Sequence, residues 1–239
     1  MSFSLVRFAA VLAMVVTLAG CGRSEGYRYK LTLAINTPDG VRRGSTVTER
    51  VYWEVSIPAR GTPHKLRGEA LYLDLGPGAR PLIALLTSHL HLKGGMTYWD
   101  WGAGDLLSRL YGLPTEFGND AAFMDHIARL GRMRGPRRIT PADLPDLVTF
   151  ADINDPKSVI EIDPNNLQAT LGPNITWNEI TLEMTDEPIT TGIEKKLPWI
   201  PEYFEKNLRL DGTDHGAKRD IANQLSWSDF DQSGNLKRH

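Results

Sequence analysis

Shortly after its apolar start the chain takes up a two-residue period, with Tyr29, Leu31, Leu33 and Ile35 set between Lys30, Thr32 and Ala34. Such spacing predicts a strand that buries one face. Thr37-Pro38-Asp39-Gly40 follows, with proline preset for the second turn position and glycine at the fourth, so a hairpin is expected. Its second strand is read from about Thr46 to Ile57, offering Val47, Val51, Trp53 and Val55 to one side, before Pro58 to Pro63 break the pattern. Glu69 to Leu75 alternates again, Gly76-Pro77-Gly78 turns the chain, and Pro81 to Leu86 is an apolar run. These segments predict an antiparallel meander of four or more strands.

The period then lengthens. Leu106, Leu107 and Leu110 fall at helical spacing after Asp105, and Ala122, Phe123, Ile127 and Leu130 share a side of a second helix that Asn119 or Asp120 would cap. Strand-like segments return at Leu147 to Phe150, Val159 to Ile162 and Ile175 to Met184, with a short helix starting near Pro164 to Leu167. A turn of helix after Pro201 and a last helix over Ala217 to Leu225 complete the pattern. The expected class is α+β: mostly antiparallel meander, with short helices inserted centrally and near the C-terminus. No long Pro/Gly linker divides it, so one domain is expected over 27–228, followed by a loose polar tail over 229–239.

The first 20 residues read as an export signal, with Arg7 ahead of an apolar stretch from Phe8 to Leu18 that is short for a membrane span. Leu18-Ala19-Gly20-Cys21 closes it and resembles the lipobox of bacterial lipoproteins; the chain has one cysteine, and it stands at that place. The resemblance implies cleavage after Gly20, acylation of Cys21, and a short tether over 21–26. Gly22 lies where inner-membrane retention would call for aspartate, so the periplasmic side of the outer membrane is the expected address. With 27 Lys plus Arg against 29 Asp plus Glu, for a net charge of -2, charge gives no reason to expect nucleic acid as a partner.

The tract LPDLVTFADINDPKSVIEIDPNNL from Leu144, its continuation LGPNITWNEITLEMTDEPITTGIEKKLPW to Trp199, and the earlier TPDGVRRGSTVTERVYW are similar to a family of proteobacterial, in particular alphaproteobacterial, lipoproteins. The resemblance implies an envelope address and a shared domain, and it carries no activity, cofactor or catalytic residue.

Candidate chemistry is sparse. His89 and His91 in SHLHL could face one side of a strand as a metal pair, with His64, Asp100 or Asp105 completing the shell, but the spacing fits no known zinc pattern. Trp99 and Trp101 in YWDW would share a strand face and could stack on a sugar or another cyclic ligand. Asp211, Asp214 and His215 read as a solvated turn, and the arginines from Arg129 to Arg138 as a surface cluster. The tail DFDQSGNLKRH has the first half of a calcium loop in Asp229, Asp231, Ser233 and Asn235; the bidentate glutamate of that loop would fall one place past His239. No GxSxG elbow surrounds any serine. The resulting expectation is a non-enzymatic envelope lipoprotein with no cofactor, held to lipid through Cys21 and bound to an envelope protein partner. The alternatives are small-molecule or glycan binding in an aromatic groove, and a periplasmic hydrolase using His89, His91 or His126 without a sequence motif.

Overall fold

A computed structural model describes residues 22–55, 62–88, 99–100, 104–216 and 220–237. The fold is α+β. Its strands are β1 (Ser24–Thr37), β2 (Gly40–Trp53), β3 (His64–Arg67), β4 (Leu71–Leu73), β5 (Leu82–Ala84), β6 (Thr87–Ser88), β7 (Trp99–Asp100), β8 (Arg137–Arg138), β9 (Leu147–Phe150), β10 (Val159–Glu161) and β11 (Thr176–Met184). The helices are α1 (Gly104–Leu110), α2 (Asp120–Leu130), α3 (Leu167–Leu171), α4 (Ile200–Glu205) and α5 (Ile221–Gln224). Two antiparallel sheets dominate, a five-stranded one in the order β3-β2-β1-β11-β8 and a four-stranded one in the order β10-β9-β5-β4. The meander read from the sequence therefore divides, with β4 and β5 leaving the hairpin to build the second sheet.

The β1–β2 hairpin is longer than its alternation indicates, pairing from Ser24↔Trp53 to Thr37↔Gly40. Ser24 to Gly26, read as tether, are thus strand. The two-residue turn also sets which face is buried. Tyr29 lies opposite Thr48, Leu31 opposite Thr46 and Leu33 opposite Gly44, so odd residues of β1 share a face with even residues of β2. Tyr52 is accordingly buried, whereas Trp53 and Val55, expected on the buried side, are exposed.

Tyr29, Leu31, Leu33 and Ile35 pack with Leu71, Leu73, Leu82 and Ala84 of the second sheet and with Leu107, Met124, Ile127 and Leu130 of α1 and α2. Each such side chain contributes about 1.5–3 kcal/mol on full burial. Asn119 caps α2 as expected, its side chain accepting from the Ala122 amide at 2.9 Å. The other face of the second sheet, with Ile83, Leu85, Val148 and Phe150, is covered by Ile193, Leu197, Trp199, Ile200, Leu210, Leu225 and Phe230. The tail expected to be loose is part of that cover: Phe230, Asp231 and Ser233 are buried, because Phe230 fills a core position beside Phe150 and Trp199.

Gly68 lets the chain pass between the sheets. It has φ +141°, and a Cβ there would lie 3.1 Å from both Thr48 Cα and Val47 O. Both backbone contacts are rigid, so Gly68→Ala is expected to lower stability by about 1–3 kcal/mol, read as a fall in the urea midpoint at constant slope. An unchanged midpoint would show that the crossover relaxes freely.

Candidate functional site

Next to Gly68, where β3 leaves the first sheet, stands Glu69. Its carbonyl accepts from Thr46 Oγ1 at 2.7 Å. Its neighbours are paired with the C-terminal segment, Ala70 N donating to Phe230 O at 2.8 Å and Gln232 N donating to Gly68 O at 2.9 Å, which sets Asp231 opposite Glu69 as an antiparallel bridge. Beyond Arg67, the edge of β2 is taken over by Thr190, whose amide donates to Val47 O at 3.0 Å while Val47 N donates to its Oγ1 at 2.9 Å. The loop then turns at Gly192, with φ +109°, into a 3-10 turn over Ile193–Lys195. The amides at such a start have no intrahelical acceptor. Glu69 supplies one to each: Gly192 N donates to Oε1 and Ile193 N to Oε2, both at 2.8 Å.

This brings three carboxylates together. Glu69, Glu194 and Asp231 each offer an oxygen, and the three oxygens lie within 4.8 Å of one another. Glu69 and Asp231 are buried, at 1% and 2% exposure, and Glu194 is half-buried. Asp231 Oδ1 accepts from Ser233 N at 2.7 Å, whereas its Oδ2 is buried with no hydrogen-bond partner. Among the described residues no lysine or arginine forms an ion pair with any of the three. Burial pushes the Glu69 carboxyl up to about 7, against the two amide hydrogen bonds, and the neighbouring Asp231 and Glu194 charges push the same way.

A pocket of about 530 Å³ adjoins the cluster through Asp231. Phe204 of α4 and Trp227 of the 3-10 turn Trp227–Asp229 form its aromatic side, in edge contact at 4.8 Å and 89°. Leu66 and Leu236 add apolar wall, and Lys65, Ser228 and Gln232 add polar groups. The Trp227 turn is fixed by Asp229, which accepts from Ser226 N at 2.7 Å and from Thr87 Oγ1 at 2.6 Å. The two aspartates of the DFD tail thus separate: Asp229 caps a turn and Asp231 enters the carboxylate cluster.

The residues singled out by sequence fall elsewhere. Cys21, His89, His91 and Trp101 lie outside the described residues; Trp99 and Asp100 are described as backbone of β7, paired with β6. His64 meets Arg50 Nη2 at 2.6 Å and packs on Tyr52. Asp211 holds its own turn through Thr213 N and Asn223 Nδ2, at 2.9 Å each, and Asp214 pairs with His215 in the exposed part of that turn. Arg134 and Arg138 pair with Asp186 and Glu179, and Arg137 lies over the Tyr111 ring, so these three arginines of the cluster are tied to their own domain. His126 meets Ser108, with Nε2 2.9 Å from Oγ. Ser108 Oγ also donates to Gly104 O at 2.8 Å. Burial, with Arg129 nearby, also lowers the His126 pKa.

No protein-family profile, curated protein or solved structure matches this chain.

The raised Glu69 carboxyl makes stability depend on pH. The native state binds this proton more tightly than the unfolded chain, so its stabilising effect is complete below about 4.5 and is lost as pH rises through about 7. Chelator-treated protein should melt progressively lower across that interval, and Glu69→Gln should flatten the change, measured as Tm against pH. A Tm profile that the substitution leaves unaltered would remove Glu69 as its source.

Proposed function

We propose that the chain is a lipid-anchored envelope protein whose domain binds a small amphipathic molecule in the pocket beside Asp231. The observation that carries this reading is the pocket's composition and size: about 530 Å³, walled by Phe204, Trp227, Leu66 and Leu236, with Lys65, Ser228 and Gln232 supplying polar contacts. Small-molecule sites are concave, mostly apolar and furnished with a few directed polar groups. An apolar or planar ligand body would lie against the Trp227 and Phe204 rings, and an anionic group would face Lys65. The aromatic groove anticipated at Trp99 and Trp101 is relocated in this reading to the C-terminal third of the chain.

The envelope address rests on the lipobox-like Leu18-Ala19-Gly20-Cys21. It gives the ligand a source among the amphipathic solutes and lipid fragments of that compartment.

Titration with 8-anilinonaphthalene-1-sulfonate, a planar aromatic anion, tests the pocket. Binding is expected to weaken about tenfold in Trp227→Ala, with a smaller loss in Phe204→Ala, and circular dichroism would confirm that both remain folded. Equal binding by folded wild type and both variants would overturn the pocket reading. The intact mass of protein extracted from envelopes should show acyl groups on a chain starting at Cys21; an unmodified Cys21 would overturn the anchor.

A further inference from the structure

We propose that Glu69, Glu194 and Asp231 bind one divalent cation, calcium being the ion whose chemistry they fit best. The three residues come from the inter-sheet crossover, the 3-10 turn after Gly192 and the C-terminal bridge, so the fold rather than any local motif assembles them. Two oxygens on one ion can be no farther apart than twice the metal–oxygen distance. That limit is about 4.6–5.2 Å for calcium and about 4.0–4.2 Å for magnesium. All three oxygens lie within 4.8 Å of one another, so each pair falls within the span that one calcium allows. An all-carboxylate set suits hard cations rather than those that favour thiolate or imidazole.

The independent sign of a ligand is Asp231 Oδ2. It belongs to a side chain 2% exposed, has no hydrogen-bond partner, and sits on the residue that bridges Glu69. A buried carboxylate oxygen left unpaired is costly, and two further carboxylates beside it increase the cost. A cation answers both terms, as the described residues supply no lysine or arginine partner to the cluster. The supporting shell is already in place. Gly192 and Ile193 amides fix Glu69, and the Ser233 amide fixes Asp231 through its other oxygen. Backbone donors to ligating carboxylates orient them before the ion arrives. Each Glu69 oxygen, having accepted one amide, retains a lone pair for a metal. Water would complete the six to eight oxygens calcium takes.

Asp231 also lines the pocket, but Trp227→Ala tests the pocket's ligand and Glu194→Gln the cation, so the two readings can fail separately. Full-length protein in detergent, stripped with EDTA and returned to chelator-free buffer, would be titrated with CaCl2, and separately with MgCl2 and MnCl2, by isothermal calorimetry and by thermal melting. One calcium per chain is expected, with Tm raised by about 5 °C or more at a hundredfold excess over Kd. Asp231→Asn should weaken binding by at least tenfold while leaving the ion-free protein folded and no less stable. Glu194→Gln, at the half-buried position, should also weaken calcium binding; it provides a test that leaves the Glu69 cap intact. Absence of both heat and Tm response to all three ions in folded protein would overturn the site. So would calcium binding that Asp231→Asn and Glu194→Gln both leave at wild-type strength, because the ion would then be elsewhere.

Discussion

The amides of Gly192 and Ile193 both end on the carboxylate of Glu69, at the place where the chain crosses from one sheet to the other. The contact joins three segments that have no local reason to meet. Gly68 and Ala70, on either side of it, pair with the C-terminal segment, and the loop it captures occupies the β2 edge that β3 vacates. From that loop onward the chain supplies Ile193, Leu197, Trp199 and Ile200 to cover the second sheet, whose strands β5 and β9 are buried on both faces. The Glu69 contact and the Thr190–Val47 pair together fix the approach of those apolar residues to the sheet.

That arrangement has an electrostatic cost which packing alone does not remove. Burial already disfavours the Glu69 charge, and its two amide hydrogen bonds offset this only in part. Here Asp231 and Glu194 are drawn in by the same connections that place Glu69. The concentration of like charge is thus a consequence of topology, and it lies against an aromatic-walled cavity through Asp231.

Elements governed by short-range pattern were readable in advance. The Tyr29 to Ile35 alternation and the Pro38-Asp39-Gly40 turn identify the hairpin; Asn119 ahead of Phe123, Ile127 and Leu130 identifies the capped helix. The division into two sheets was not readable, because strands of three residues such as β4 and β5 have the same local pattern whichever neighbour they choose. The buried side of β2 depended on pairing register rather than on its own hydrophobicity, which is why Trp53 emerged exposed. The candidate site was least legible. Glu69 looks like the polar start of an alternating strand, and its carboxylate partners are 125 and 162 positions away. Asp231 did attract attention within a calcium-like DFDQSGN run, but its companions come from distant segments rather than from that run.

The first strand begins at Ser24, and this limits how a lipid on Cys21 could hold the domain. Arg23 O already accepts from Glu54 N at 2.9 Å, so two residue steps lead from Cys21 to the paired chain, a leash of roughly 7 Å when fully extended. A body on so short a leash has little standoff and little freedom to tilt, so the same end of the hairpin would stay against the bilayer. Trp53, opposite Ser24 and 38% exposed, occupies that end. Indole rings settle at the headgroup level of membranes. Anchor and tryptophan would then act as two points of attachment, turning a tether into an orientation.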